Sequence, residues 1–250
     1  MRIGVGIVTC NRPEFLLRLS NSLTDCFPSE AHTDYRIIVV NDGSKETSEV
    51  YDVGIALNGL APTTVITNET NLGVGKSKNI AMKHLLDQEC DYVFLIEDDM
   101  LIKDPDIFLE YIRAYNLTGI HHFMYAYHGP ANKNGISNGD PCPRKIIDYG
   151  PIKIALNQHC VGAFCFYTRK CLIEVGLNDE EFLNAFEHVE HSYRLAKKQF
   201  STPYWWWADI ANSSDYISEQ ACSEESSTIR PRSDWKDNII KSMNYFISKH

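Results

Sequence analysis

Three short apolar runs and one β-branched run, separated by segments with helical spacing, constrain the fold of this 250-residue chain more than any other feature. They lie at residues 3–8, 36–40, 63–67 and 92–96. Runs of this length are typical of strands buried on both faces of a sheet. Strands that alternate with helices form parallel sheets through right-handed crossovers. The sequence therefore predicts an α/β fold whose mainly parallel central sheet is flanked by helices.

Beyond residue 100 the alternation is less regular. Residues 129–151 are rich in Pro, Gly, Asn and Asp, which predicts a long loop. The Ser-rich stretch at 212–227 is predicted to be irregular. The remaining patterns predict helices at 105–117, at 169–176, at 186–199 and from Trp235 onwards, and strands at 120–127 and 159–168, with Trp205–Trp207 closing the sheet.

The composition narrows the class of protein. A hydrophobic content of 44% indicates a globular chain, and a formal net charge of −9 argues against a nucleic-acid partner. No apolar stretch reaches the length that a bilayer requires, so we predict no transmembrane segment and a cytoplasmic location. The eight cysteines form no Cys-x-x-Cys pair and are expected to be reduced thiols.

Three consecutive carboxylates, Glu97, Asp98 and Asp99, directly follow the fourth predicted strand. In open α/β sheets this carboxyl edge is where ligands bind. Adjacent acids repel one another unless a cation neutralises them, and hard oxygen ligands suit Mg²⁺ or Mn²⁺. The stretch therefore predicts a divalent metal site, with a solvated acidic turn as the alternative.

Polar loops after the first three strands should reach the same edge of the sheet. They contain Thr9–Arg12, Asn41–Ser44 and Asn71–Asn79. An acid such as Asp42 can accept hydrogen bonds from a base or ribose, and Arg12 can contact phosphate. Each loop alone is also ordinary turn chemistry. Their combination at one edge is what favours nucleotide binding.

These motifs, in this order and spacing, resemble the nucleotide-sugar-binding half of family-2-type glycosyltransferases of the GT-A fold. The resemblance implies that Asp42 holds uracil or an equivalent base. It also implies that Asp99 binds the Mn²⁺ or Mg²⁺ that bridges the diphosphate. Glu97 would contact ribose or sugar, although the family usually has Asp there. The substrate-binding residues implied are Thr9, Asn11, Arg12, Asp42, Asn71, Gly73, Asn79, Glu97 and Asp98.

The later part of the chain resembles the acceptor half of the same family. Residues 162–166 are similar to the strand before the acceptor helix, and 187–195 are similar to the helix itself. His188 stands where many inverting members have a catalytic Asp, so Glu187, His188 and Glu190 are all predicted candidates for the general base. The same segment also resembles retaining polypeptide N-acetylgalactosaminyltransferases, so the stereochemistry stays open, with inversion slightly favoured. A surface helix in which Arg194 pairs with Glu190 is the alternative.

By this resemblance residues 1–211 form one GT-A domain, with a nucleotide-sugar-binding half at 1–100 and an acceptor half at 101–211. Residues 212–250 form a connection and an amphipathic helix. That helix is expected to dock on its own domain, on a partner protomer or, less favoured, on a membrane surface. Four histidines, none of them preferred, are candidates for a further metal ligand: His121, His122, His128 and His159.

The predicted function is metal-dependent transfer of a sugar from a nucleotide-diphosphate sugar, first of all a UDP-sugar, to a hydroxyl group. The acceptor would be carried by a glycan, lipid or protein. Two alternatives remain. Thr70–Ser77 nearly reproduces a phosphate-binding P-loop, which would make the chain a phosphotransferase, although Thr70 replaces the first glycine. A catalytically inactive nucleotide-sugar-binding module is the other.

Overall fold

The computed structural model describes residues 1–27, 33–135, 139–182, 184–202, 206–221 and 233–250. Its strands are β1 (Arg2–Thr9), β2 (Asp34–Asn41), β3 (Thr63–Thr67), β4 (Tyr92–Glu97), β5 (Met100–Ile102), β6 (His122–Met124), β7 (Lys145–Asp148), β8 (Lys153–Asn157), β9 (Phe164–Thr168), β10 (Trp207–Ile210) and β11 (Ile217–Glu219). Its helices are α1 (Pro13–Asp25), α2 (Ser48–Asn58), α3 (Val74–Asp87), α4 (Ile107–Thr118), α5 (Arg169–Val175), α6 (Glu187–Lys197), α7 (Ser213–Tyr216) and α8 (Trp235–Lys249).

The central sheet has six strands in the order β3-β2-β1-β4-β9-β6. The first four are parallel, and β9 pairs antiparallel with both β4 and β6. The prediction of an α/β fold with a mainly parallel central sheet is therefore confirmed. Because β1, β2, β3 and β4 run in one direction, the loops that follow them meet at a single edge.

Close packing of α3 on β1 fixes where that helix begins. A Cβ atom at Gly4 would lie 2.8 Å from Leu85 Cδ2, and one at Gly6 would lie 2.9 Å from the Ala81 Cβ. Only glycine lets the helix approach the strand this closely. The first turn of α3, from Val74, is thereby held at the carboxyl edge of the sheet.

Two predicted strands are shorter in the structure. The strand predicted at 120–127 ends at Met124, and the one predicted at 159–168 begins at Phe164. Several apolar residues next to these strands are nevertheless buried, including Tyr125 and Val161. Burial without pairing explains the difference, since hydrophobicity alone does not fix strand ends.

The prediction that Trp205–Trp207 closes the sheet is wrong for Trp207, while Trp205 lies outside the described residues. Trp207 begins β10, which pairs with β8 in a separate sheet ordered β10-β8-β7. The short strand β7 also interrupts the loop predicted at 129–151. Residues 213–219, predicted to be irregular, form α7 and β11, and β11 pairs with β5. These pairings join distant segments, so local patterns carried little signal for them.

The C-terminal helix α8 docks on its own chain. The Phe246 ring centroid lies 6.2 Å from that of Phe186 and 5.4 Å from that of Tyr193, while Tyr245 packs 5.0 Å from Phe182. This is the first of the three placements predicted for it. Among the described residues, no helix has both the length and the apolar character needed to cross a bilayer.

Candidate active site

The carboxylates of Asp98 and Asp99 lie buried where β4 ends. Thr9 Oγ1 donates a hydrogen bond of 2.6 Å to Asp98 Oδ2. Arg12 forms an ion pair with Asp98 through Nη2, and its Nη1 donates a hydrogen bond of 3.1 Å to Asp99 Oδ2. Its guanidinium also stacks over the Phe15 ring at 5.3 Å. Arg12, in the loop after β1, therefore forms ion pairs with both Asp98 and Asp99.

The two acids differ in their ionisation. Burial raises the pKa of Asp98 to about 7, in opposition to the attraction of Arg12. Burial also acts to raise the pKa of Asp99, but His128 and Arg12 outweigh it and hold that pKa well below its usual range. The partnership in turn raises the pKa of His128, because its contact with Asp99 outweighs burial. Asp99 is therefore the acid that stays ionised near neutral pH.

Asp99 and His128 offer the donor atoms that fit a divalent cation. The Asp99 Oδ1 atom is buried and makes no hydrogen bond to any described residue, and it lies 3.4 Å from His128 Nε2. A carboxylate oxygen beside an imidazole nitrogen suits Mn²⁺. Of the four histidines left open by the sequence, His128 is thus the one that reaches the acids. No three His, Cys, Asp or Glu side chains in the described ranges group as a metal site.

Two of the other histidines bond elsewhere. His121 Nδ1 lies 2.7 Å from Thr168 Oγ1, and His122 Nε2 lies 2.7 Å from Ser192 Oγ. Both contacts are away from the acids. His159 lines the cavity described below.

Asp42 connects the loop after β2 to the loop before α3 through hydrogen bonds. It accepts hydrogen bonds from Asn68 Nδ2 at 2.9 Å, from the Leu72 amide at 2.8 Å and from the Gly73 amide at 3.0 Å. A P-loop would need such amides for phosphate, so this carboxylate contact contradicts the P-loop alternative. Asn71 Nδ2 also donates to the Asp42 carbonyl at 3.3 Å. Asp42, Asn71 and Gly73 are therefore joined by direct contacts.

Asn11 and Asn79 are engaged with the protein itself. Asn11 Oδ1 accepts a hydrogen bond of 2.9 Å from the Lys45 amide, which joins the first two loops. Asn79 Nδ2 donates to the Asn178 carbonyl at 2.9 Å and to Glu180 Oε1 at 3.1 Å. Neither residue lines the cavity. Their contacts tie segments together, rather than leave amides free for a ligand.

A cavity of about 620 Å³ lies between β4 and the start of α6. Its polar walls are Glu97, His128, His159, Glu187 and His188. Apart from the amide of Asn184, the rest of its lining is small or apolar. These residues are Val74, Gly129, Pro130, Ala131, Cys160, Val161, Gly162 and Ala163. A cavity with a few convergent polar groups is the usual form of a small-molecule site.

Lys78, which the sequence analysis did not select, lies beneath this cavity. Its Nζ donates to Glu97 Oε1 at 2.6 Å and to the Gly162 carbonyl at 3.0 Å, and lies 3.4 Å from Glu187 Oε1. Helical spacing offered a signal, since Lys78 lies three residues before Ala81, on the buried face of α3. The lysine connects the acidic end of β4 with the first turn of α6.

Glu187 and His188 form a pair at the start of α6. His188 Nδ1 lies 3.0 Å from Glu187 Oε1. Burial acts to raise the pKa of Glu187, but the attraction of His188 and Lys78 holds it far below its usual range. An ionised carboxylate only accepts hydrogen bonds, so Nδ1 carries the hydrogen, and in the neutral form of the ring Nε2 is the acceptor.

Glu190 lies away from the cavity, although it was a candidate for the general base. Both of its carboxylate oxygens accept hydrogen bonds of 2.9 Å from Arg194 Nε, and Lys249 Nζ and His250 Nε2 lie 2.8 Å and 3.1 Å from Oε1. Its side chain is fully buried by these partners. These contacts favour the alternative in which Glu190 pairs with Arg194. Glu190 pairs with Arg194 one turn further along α6, as in the alternative considered, and it links α6 to the C-terminal residues Lys249 and His250.

The order of the central strands and the helices around them form a fold of the GT-A type. The family model described as glycosyl transferase family 2 matches residues 4–175, and the chain belongs to this family. An uncharacterized glycosyltransferase of Acanthamoeba polyphaga mimivirus is 25% identical over 236 residues, which cover 92% of this chain and 85% of the viral protein. The P-loop phosphotransferase alternative is thereby excluded.

Solved structures share the fold at low identity. GalNAc-T7 with UDP, GalNAc and Mn²⁺ matches with a TM-score of 0.70 and 13% identity, over 98% of this chain and 48% of that chain. S. aureus TarS in complex with UDP-GlcNAc matches at 0.65 and 16%, over 100% and 66%. The Pyrobaculum calidifontis mannosyltransferase PcManGT with GDP-Man and Mn²⁺ matches at 0.60 and 12%, over 99% and 63%. The chain thus spans two thirds or less of these solved proteins.

Proposed function

We propose that this glycosyltransferase moves a sugar from a nucleotide-diphosphate sugar, first of all a UDP-sugar, to a hydroxyl group on a glycan, lipid or protein, with Mn²⁺ or Mg²⁺ as cofactor. The observation that carries the proposal is a single cavity lined by both His128 and the Glu187–His188 pair. His128 reaches the acids at the end of β4, and the pair supplies a base. TarS, GalNAc-T7 and PcManGT are solved with UDP-GlcNAc, UDP or GDP-Man, which supports this donor class.

Asp99 and His128 are the residues that would hold the cation. When bound, the cation supplies charge stabilisation to the departing nucleotide diphosphate. Arg12, next to Asp99, is a second positive group that would contact the diphosphate. Asp42 and the 71–73 loop would bind the base.

The base in this proposal is His188, oriented by Glu187. Glu187 accepts the hydrogen on Nδ1, so Nε2 receives the proton of the acceptor hydroxyl as that oxygen attacks the anomeric carbon. Inversion is the favoured stereochemistry because such a base assists direct attack by the acceptor.

The experiment is a screen of UDP- and GDP-sugars with Mn²⁺ or Mg²⁺, read as released nucleotide with and without acceptor sugars. Turnover that EDTA abolishes and either metal restores is the expected result. Undiminished turnover in EDTA would contradict the metal assignment. Tight binding of UDP-sugars with no transfer or hydrolysis would instead favour the inactive binding module.

A further inference from the structure

The buried ammonium of Lys78 is bonded from three directions. Glu97 lies at the end of β4, Gly162 precedes β9, and Glu187 begins α6. The three contacts, at 2.6, 3.0 and 3.4 Å, match the three hydrogens of an ammonium group. The burial of Lys78 acts to lower its pKa, but Glu97 and Glu187 outweigh this effect and raise it well above its usual range. Lys78 is therefore a permanent cation between two halves of the cavity wall.

We propose that Lys78 is a positioning residue for the transfer reaction, which holds Glu187 so that Glu187 in turn keeps His188 with its hydrogen on Nδ1 and a free Nε2. The inference rests on the proposed function only in naming His188 as the base. Lys78 itself touches neither donor nor acceptor in this scheme. Its role is to fix the Glu187 carboxylate at the distance that His188 requires.

Glu187 Oε1 carries both contacts in the proposal. Lys78 Nζ lies 3.4 Å from this oxygen and His188 Nδ1 lies 3.0 Å from it. Without the ammonium, a fully buried carboxylate would lose its cation and its charged form would be disfavoured. A protonated or rotated Glu187 no longer accepts the Nδ1 hydrogen, and the imidazole is free to change tautomer or to turn. The thiols of Cys160 and Cys165 also interact with Glu187, and neither can replace the cation.

A link between Lys78 and Glu97 gives the same cation a second effect. Glu97 lines the cavity, and its Oε1 accepts the shortest of the three bonds. Lys78 thus fixes the donor-side and acceptor-side carboxylates relative to each other. Shortening the side chain with Glu97→Asp should loosen this link by one methylene while leaving the Glu187 contact in place.

The first test reads the tautomer of His188 by NMR, from its imidazole nitrogen shifts at neutral pH, with His188→Gln used for assignment. No sugar donor is needed, so the result stands even if the proposed function fails. The wild-type chain should show hydrogen on Nδ1 and a free Nε2. Lys78→Met should lose that pattern, whereas Lys83→Met, an exposed lysine on the same helix, should keep it. An unchanged His188 signal in folded Lys78→Met would overturn the proposal.

The second test is a double-mutant cycle on transfer, since variants that act through one path are not additive. Lys78→Met and Glu187→Gln should each lower kcat about 100-fold with a donor KM within about 3-fold. The double variant, which removes both buried charges, should be no worse than Glu187→Gln alone. Lys78→Arg should restore part of the loss. Independent losses that multiply in the double variant would overturn the positioning role, and so would a change confined to KM. If Lys78→Met does not fold, the double variant and Lys78→Arg decide the outcome.

Discussion

Two buried clusters at this cavity combine the same three kinds of group in different ways. One joins Asp99 to Arg12 and His128, and the other joins Glu187 to Lys78 and His188. In the first, Asp99 Oδ1 makes no hydrogen bond to the described residues, whereas in the second Glu187 Oε1 is shared between both partners. The comparison teaches that a carboxylate oxygen facing an imidazole nitrogen without a hydrogen bond suits an added cation, while one shared between an ammonium group and an imidazole suits the orientation of a base.

The largest expected effect comes from breaking the first cluster. Asp99→Ala should lower kcat/KM at least about 1,000-fold, because the charge on the departing diphosphate loses its metal. Added Mn²⁺ should not restore activity. Asp106→Asn, an exposed acid nearby in sequence, should behave as wild type. Sugar transfer across a Mn²⁺ titration measures the effect. Near-normal turnover in Asp99→Ala would show that Asp99 does not hold a required cation, and the two clusters would no longer differ in this way.

Breaking the second cluster should lower kcat without weakening donor binding. His188→Ala is expected to reduce kcat about 100- to 10,000-fold, the usual contribution of a general base. The loss should lie in kcat, with KM for the donor within about 3-fold, since Asp42 and Asp99 are untouched. Steady-state transfer assays measure both parameters. Normal turnover in His188→Ala would show that another group acts as the general base.

The first half of the chain was predicted well because its strands are short apolar or β-branched runs that alternate with helices. Thr63–Thr67 was predicted with its observed ends, and the loops with Asp42 and Asp99 were placed at one edge by strand direction alone. His128 could not be assigned, because its approach to Asp99 depends on β9 and β6 lying beside β4, a pairing absent from local spacing. The partners of Glu190 could not be predicted for the same reason, since Lys249 and His250 reach it from 59 and 60 residues away.

A smaller loss of activity is expected from a substitution that displaces the His188 imidazole without removing it. In Gly162→Ala the new Cβ would lie 2.8 Å from His188 Cγ and 2.9 Å from Nδ1, closer than such atoms can approach. The imidazole must shift away, and kcat should fall about 10-fold or more, because misplacement of a reacting group is costly. Donor KM and Mn²⁺ dependence should stay as in wild type. A Gly162→Ala enzyme with full kcat would show that the position of His188 is not critical.

The smallest effect on rate, and a clear one on stability, is expected from Glu190→Gln. Because Glu190 lies outside the cavity, kcat should stay within about 3-fold, in contrast with Glu187→Gln. Arg194 and Lys249 lose a buried carboxylate partner, so the free energy of unfolding should fall by about 2 kcal/mol.

The same substitution tests how the free energy of unfolding changes as the pH falls. Burial acts to raise the pKa of Glu190, but hydrogen bonds from Lys249, Arg194 and His250 outweigh it and lower that pKa below the ordinary value of 4.5. The stabilisation is therefore present above about pH 4.5 and is lost as the pH falls through the folded-state pKa. Denaturant unfolding across this range should show a shallower acid loss in Glu190→Gln than in wild type. Suppose instead that Glu190→Gln unfolds with the same pH dependence as wild type and loses most of its kcat. Glu190 would then again be a candidate for the general base, and Glu187 and Glu190 would no longer differ in role.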